Sequence, residues 1–114
     1  EDISLSLLKS AKNKLNKFSV KIIKVPGVFE IPVTIAKNIK KYDGFVALGC
    51  VIKGQTPHFD FISIASTQAI MNLSINYKKP VGNGIITCLN KKQATARRNK
   101  GAEAAIAVIS VLSN

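Results

Sequence analysis

Seven consecutive residues, Gly54-Gln55-Thr56-Pro57-His58-Phe59-Asp60, combine the types needed to bind an anion and to move a proton. They follow the apolar run Phe45–Ile52, which reads as a buried strand, and precede a helical pattern that starts near Phe61. A strand that breaks at a glycine turn and re-enters as a helix offers free backbone N–H groups and a helix N-terminus, a ready anion site. Thr56 suits the N-cap of that helix, and Pro57 suits its first position, where a missing N–H costs nothing. His58, the only histidine, then stands beside the anion pocket at the carboxyl end of a strand, the edge at which open α/β sheets bind ligands. Imidazole titrates close to neutrality, which suits general acid–base work. Asp60 either orients the ring or complements the helix N-terminus, and the second role asks less of it.

Two further clusters stand at element junctions. In Val25-Pro26-Gly27-Val28-Phe29-Glu30, Phe29 and Glu30 read either as a core residue and a first-turn acid, or as the apolar wall and hydroxyl acceptor of a pocket. Spacing alone favours the first. In Arg97-Arg98-Asn99-Lys100-Gly101, three cations gather at a break between helices. They read as a solvated helix C-terminus or as a phosphate clamp in which an arginine fork grips the oxygens. Local sequence leaves that choice open.

The elements that must position these clusters alternate. Asp2 can cap a first helix with Leu8, Ala11 and Leu15 on one face; Val20–Val25 reads as a short β-branched strand that Pro26-Gly27 breaks. A helix from about Phe29 to Lys40 places Ile31, Ile35 and Ile39 at four-residue spacing. After Phe45–Ile52 comes a helix from about Phe61 to Asn76 with Ile62, Ala65, Ala69 and Leu73 inward, then a strand Val81–Cys88. Asn90 caps a short helix reaching Arg97, and a last helix from Asn99 carries Ala102, Ala105, Ile106, Ile109 and Leu112. Strands alternating with helices imply an α/β fold, a parallel sheet with helices on both faces. Three strands make a thin sheet, and a chain of this type normally opens on a strand rather than a helix.

At 114 residues with 46% hydrophobic content the chain is one domain, 1–114. No apolar run is long enough to span a membrane and no signal-peptide pattern appears, so a soluble, cytoplasmic protein is expected. Cys50 and Cys88 are expected as reduced thiols, and two cysteines with one histidine at no short spacing exclude a metal site. The net charge of +11 raises nucleic acid as a partner, but the basic residues are mostly lysines spread along every element. The charge reads as a solvated surface with some focusing of anionic substrates, and no nucleic-acid partner is expected.

Three stretches together resemble the lumazine synthases of riboflavin biosynthesis: Val25-Pro-Gly-Val-Phe-Glu-Ile-Pro32, Ala47-Leu-Gly-Cys-Val-Ile-Lys-Gly-Gln-Thr-Pro-His-Phe-Asp60, and Asn99-Lys-Gly-Ala-Glu-Ala-Ala105. The resemblance covers essentially the whole chain. It implies a three-layer, flavodoxin-like fold assembled as pentamers, or as shells of pentamers, with each active site between neighbouring subunits. The implied reaction condenses 5-amino-6-(D-ribitylamino)uracil with 3,4-dihydroxy-2-butanone 4-phosphate and uses no metal or organic cofactor. Carried over by position, Val28, Phe29, Glu30, Val51 and Ile52 match the pocket for the pyrimidine and its ribityl chain. Gln55 and Thr56 match the phosphate-binding turn, His58 the proton shuttle, and Arg97 and Lys100 the phosphate-binding cations, Arg97 acting from the neighbouring subunit. With the resemblance, Phe29, Glu30, His58 and Arg97 favour function over the simpler structural roles. The sequence departs from the pattern in three places. The family's first strand and its following loop are absent, so the domain is expected to be N-terminally incomplete. Asn83 stands where many members carry a phenylalanine from the adjacent subunit, and the loop between Arg98 and Asn99 is short. A second reading is a catalytically weak relative that serves as an assembling or ligand-binding protein.

Overall fold

The computed structural model describes residues 3–54 and 58–114. In chain order it contains α1 (Ile3–Lys14), a 3-10 turn (Val28–Glu30), α2 (Ile31–Lys37), β1 (Phe45–Ile52), α3 (Phe59–Tyr77), β2 (Val81–Cys88), α4 (Lys91–Ala96) and α5 (Lys100–Leu112). The two strands pair in parallel, with Phe45 opposite Val81 and Ile52 opposite Cys88. A parallel pair with helices on both faces buries both sides, which is why β1 reads as an unbroken apolar run. One face packs Ala47, Val51 and Ile85 against Ile31, Ile35 and Ile39 around α2 and against Ile70 of α3. The other packs Ile86 and Cys88 with Leu48 and Cys50 against Leu7 of α1 and Ala94 of α4. The α/β class with helices on both faces therefore holds.

The strand expected at Val20–Val25 does not form. Those residues carry no strand hydrogen bonds, and Val20, Ile22 and Ile23 are each more than 40% exposed. The reason is geometric. A strand exists through its neighbours' N–H and C=O groups, and between this segment and β1 lies a cavity of about 750 Å³, walled by Val20, Ile22 and Val25 on one side and Val46 and Leu48 on the other. Among the described residues the sheet is thus two-stranded, with one edge of β1 facing the cavity.

Three helix expectations shift as well. α2 is shorter than Phe29–Lys40: a 3-10 turn precedes Ile31, and turns replace the helix after Lys37, although Ile39 remains buried in the core. In α3, Ile62 and Leu73 pack half-buried against the core as expected, and Ala65 and Ala69 are half-buried, but the most buried side chains are Ser66 and Ile70. In α5, Ile106 and Leu112 are exposed, and Gly101, Ala104, Ala105 and Val108 form the buried face. Helical period alone cannot tell which flank of a wide apolar stripe meets the sheet.

The ends of the elements follow local chemistry. Lys78 adopts a left-handed conformation and closes α3, with Ser74 Oγ donating to the Lys79 carbonyl at 2.7 Å. The Phe45 N–H then takes the Pro80 carbonyl at 3.0 Å and opens the ladder. Asn90 caps α4 as expected, accepting from the Gln93 N–H at 2.9 Å while Gln93 Oε1 accepts from the Leu89 N–H at 2.8 Å.

Candidate active site

The Val25–Glu30 segment and the carboxyl end of β1 meet in a cleft of about 330 Å³. Gly27, Val28, Phe29 and Glu30 form one wall; Cys50, Val51 and Ile52 form the other, and Ile62 from the first turn of α3 closes the end. The 3-10 turn brings its residues here because its Glu30 N–H bonds back to the Gly27 carbonyl at 3.1 Å, and the chain then enters α2 with Pro32 near its start. Five sequence-predicted residues, Val28, Phe29, Glu30, Val51 and Ile52, therefore line one cavity. Phe29 is 54% exposed, so the alternative of a core side chain is set aside. Its ring lies 6.2 Å from that of Phe61.

Two residues past the end of β1, Gly54 has a φ of +90°, in the left-handed region that favours glycine. Gln55, Thr56 and Pro57 lie outside the described residues, and so do the expectations placed on them, including the cap and the phosphate turn. His58 is exposed and occupies the N-cap position of α3; its carbonyl accepts from the Ile62 N–H at 2.8 Å. This ties His58 to the turn that carries Ile62 into the cleft. Asp60 sits in the first turn of α3, where an acid complements the helix dipole, the simpler of its two expected roles.

The cations lie at the end of β2. Arg97 Nη1 donates to the Thr87 carbonyl at 2.8 Å and approaches Cys88 Sγ at 3.8 Å. Thr87 is in register with Val51, so the guanidinium is held at the same end of the sheet as the cleft. Lys100 opens α5, and its ammonium pairs with Glu103 at 3.5 Å on the exposed helix surface. Asn83 does not line the cleft: it is exposed on β2, and its Oδ1 accepts from the Ile85 N–H at 3.0 Å. Neither Arg97, Lys100 nor Asn83 joins the cleft within a single chain.

Gly27, Cys50 and Ile62 line the cleft without having been singled out. Cys50 adjoins Val51 in the same strand run, a signal that was available; Ile62 carried only a core signal. Burial, and secondarily the neighbouring Cys88 thiol, raise the Cys50 pKa. Both cysteines are free thiols. Among the described residues no group of three or more His, Cys, Asp or Glu side chains could hold a metal ion.

The family model for 6,7-dimethyl-8-ribityllumazine synthase matches residues 1–114. The chain belongs to that family. Proteins named 6,7-dimethyl-8-ribityllumazine synthase are similar to it in several bacteria. That of Corynebacterium kroppenstedtii is 47% identical over 97 residues, 79% of this chain. That of Afipia carboxidovorans is 43% identical over 126 aligned positions covering 98% of this chain and 77% of the relative, and that of Bartonella tribocorum is 44% identical over 124, covering 97% and 82%. The chain spans 61% of the length of the Corynebacterium relative. Among the described residues no helix is long and apolar enough to cross a membrane.

Proposed function

We propose that this protein condenses 5-amino-6-(D-ribitylamino)uracil with 3,4-dihydroxy-2-butanone 4-phosphate to give 6,7-dimethyl-8-ribityllumazine, phosphate and water. The observation that carries the reading is the single cleft in which Val28–Glu30 meets Val51 and Ile52, in a chain of this family. The pyrimidine amine attacks the ketone carbonyl to form an imine with loss of water. Phosphate then leaves, and ring closure expels a second water. Both substrates bring their own reactive groups, so most of the rate comes from holding them in register. Val28 and Phe29 supply apolar surface to the ring, Glu30 accepts hydroxyls of the ribityl chain, and Gln55 and Thr56 receive phosphate. His58 moves the protons, worth roughly 10²–10⁴-fold for a typical general acid–base.

Arg97, Lys100 and Asn83 serve a neighbouring copy's cleft in this reading. Two observations support self-association. Within one chain these residues stand outside the cleft. In addition, Phe61, Ile64, Met71 and Ile75 form an exposed apolar stripe along α3, each more than half exposed, and the Phe29 ring of the cleft wall lies 6.2 Å from that of Phe61. A contiguous exposed apolar stripe suits a contact with another polypeptide, and a homo-oligomer, a pentamer or a shell of pentamers, covers it. The open edge of β1 beside the 750 Å³ cavity supports a domain with one further strand there. The protein acts in the cytoplasm, on small molecules and without nucleic acid.

The test is optical. Purified protein mixed with the two substrates should form the lumazine chromophore faster than the spontaneous condensation. The excess should fall in His58→Ala and in Arg97→Ala. A folded oligomer that gives no excess over background would sink the reading.

A further inference from the structure

α5 begins without a local cap. Its N-cap residue, Asn99, makes no side-chain hydrogen bond to the helix, although asparagine is among the best residues for that task. The task is done from another helix. Ser10 of α1 accepts the Ala102 N–H on its Oγ at 3.1 Å, satisfying a first-turn donor that has no partner within its own helix. The same hydroxyl lies 3.0 Å from the Leu7 carbonyl and 3.3 Å from the Arg98 carbonyl, either of which its proton can serve. One side chain thus joins α1 to residues on both sides of Asn99 and Lys100.

The backbone around it is fitted to this contact. A Cβ on Gly101 would overlap the Leu7 carbonyl oxygen and stand 2.6 Å from Ser10 Oγ, so only glycine lets α5 approach closely enough for Ser10 to reach Ala102. Gly101 is fully buried at that crossing, whereas Arg97, Arg98, Asn99 and Lys100 are all exposed. The turn that carries the cations is therefore held at two ends. On the β2 side Arg97 Nη1 grips the Thr87 carbonyl, and on the α1 side Ser10 Oγ accepts the Ala102 N–H and shares its one proton between the Leu7 and Arg98 carbonyls.

We infer that Ser10 is a positioning residue for phosphate: by capping α5 from α1 it fixes the short turn that presents Arg97 and Lys100 to the phosphate of the substrate. The inference rests on the reading of Arg97 as a phosphate ligand. Ser10 does not touch substrate; it acts through the Ala102 N–H, and through the Arg98 carbonyl when its proton is not given to Leu7. A guanidinium binds phosphate through a planar fork, which loses strength quickly when its backbone is free to drift.

The probe is inorganic phosphate, titrated calorimetrically into the full-chain protein and its Ser10→Ala and Ser10→Thr variants. Ser10→Ala should weaken phosphate binding by roughly fivefold, the factor that one helix cap represents. Ser10→Thr, which keeps the hydroxyl, should restore most of it. In the condensation assay the KM for the phosphorylated ketone should rise by a similar factor, with the KM for the pyrimidine amine unchanged. Ser10→Cys, of similar volume but a weak acceptor, should behave like alanine and serves if the alanine variant does not accumulate. A role confined to stability would lower the melting temperature and leave phosphate affinity alone, which overturns the inference. So does a wild-type protein that binds no phosphate, or an equal rise in both KM values. Phosphate binding that depends on Ser10 in a protein that forms no lumazine would retain the inference and reject the reaction.

Discussion

Arg97 Nη1 donates a hydrogen bond of 2.8 Å to the carbonyl oxygen of Thr87, so an exposed guanidinium on a turn is moored to the last residues of a buried strand. The bond uses one N–H of a five-donor fork and leaves the group's remaining edge for an anion. Replacing Arg97 with alanine should reduce use of the phosphorylated ketone by at least about tenfold, the loss of a charge-assisted bidentate pair, with the pyrimidine amine affected less. Lysine at 97 should recover only part of the loss, because a point charge cannot hold both the carbonyl and a planar anion. Steady-state kinetics with each substrate varied in turn checks both statements. Equal losses for the two substrates would count against Arg97 as the phosphate anchor.

Gly101→Ala should destabilise the fold by about 1–3 kcal/mol, the range for overpacking a close contact. The added methyl meets backbone of α1 at Leu7, not the flexible end of a side chain, so the two helices must separate. Chemical denaturation should show a lower midpoint with an unchanged slope. A midpoint equal to wild type would mean that the crossing is looser than the contact implies.

Ser66 offers the opposite sign. Its Oγ is buried in α3 with no hydrogen-bond partner among the described residues, and the residue is 1% exposed. A buried hydroxyl without a partner carries a desolvation cost of about 1–3 kcal/mol, and alanine removes it while leaving a void of only one oxygen. Ser66→Ala should therefore leave stability unchanged or raise it by up to about 1 kcal/mol, read from the denaturation midpoint. Marked destabilisation would reveal a partner for that hydroxyl.

Cys50 contributes a pH dependence whose sign follows from its surroundings. Burial and the adjacent Cys88 thiol raise its pKa in the folded state, so the fold prefers the neutral thiol. Its contribution to stability is complete below the ordinary thiol pKa and is lost as pH rises through the raised folded value, because the unfolded chain releases its proton first. Between neutral and strongly alkaline pH, wild-type stability should fall more steeply than that of Cys50→Ala. Parallel curves for the two proteins would remove Cys50 as the cause.

What was legible in the chain was whatever depends on neighbours in sequence. The apolar run Phe45–Ile52 and the asparagine that caps α4 both act within a few residues, and both appear where the sequence puts them. The cluster Val28–Glu30 was also legible, since a Pro-Gly break before an acidic first turn can only start a helix near that point. Family membership follows from the same short stretches and from the match over residues 1–114.

Tertiary structure alone decided the rest. Val20–Val25 has the composition of a strand, yet strands are made by partners, and across the cavity from β1 it has none. Phe29 could have been core or cleft until the turn before α2 exposed it. Arg97 and Thr87 are ten residues apart and separated by a helix, and their bond exists because α4 folds back along β2. Ser10 carried no signal at all. A serine in the middle of an amphipathic helix is locally unremarked, and its task appears only where Gly101, ninety-one positions away, lets a second helix come within reach of its hydroxyl. Sequence determined which elements form and what chemistry they carry, because those depend on local sterics and hydrogen bonding. Packing determined which face is buried and which side chain serves which helix, because those depend on contacts between residues far apart in the chain.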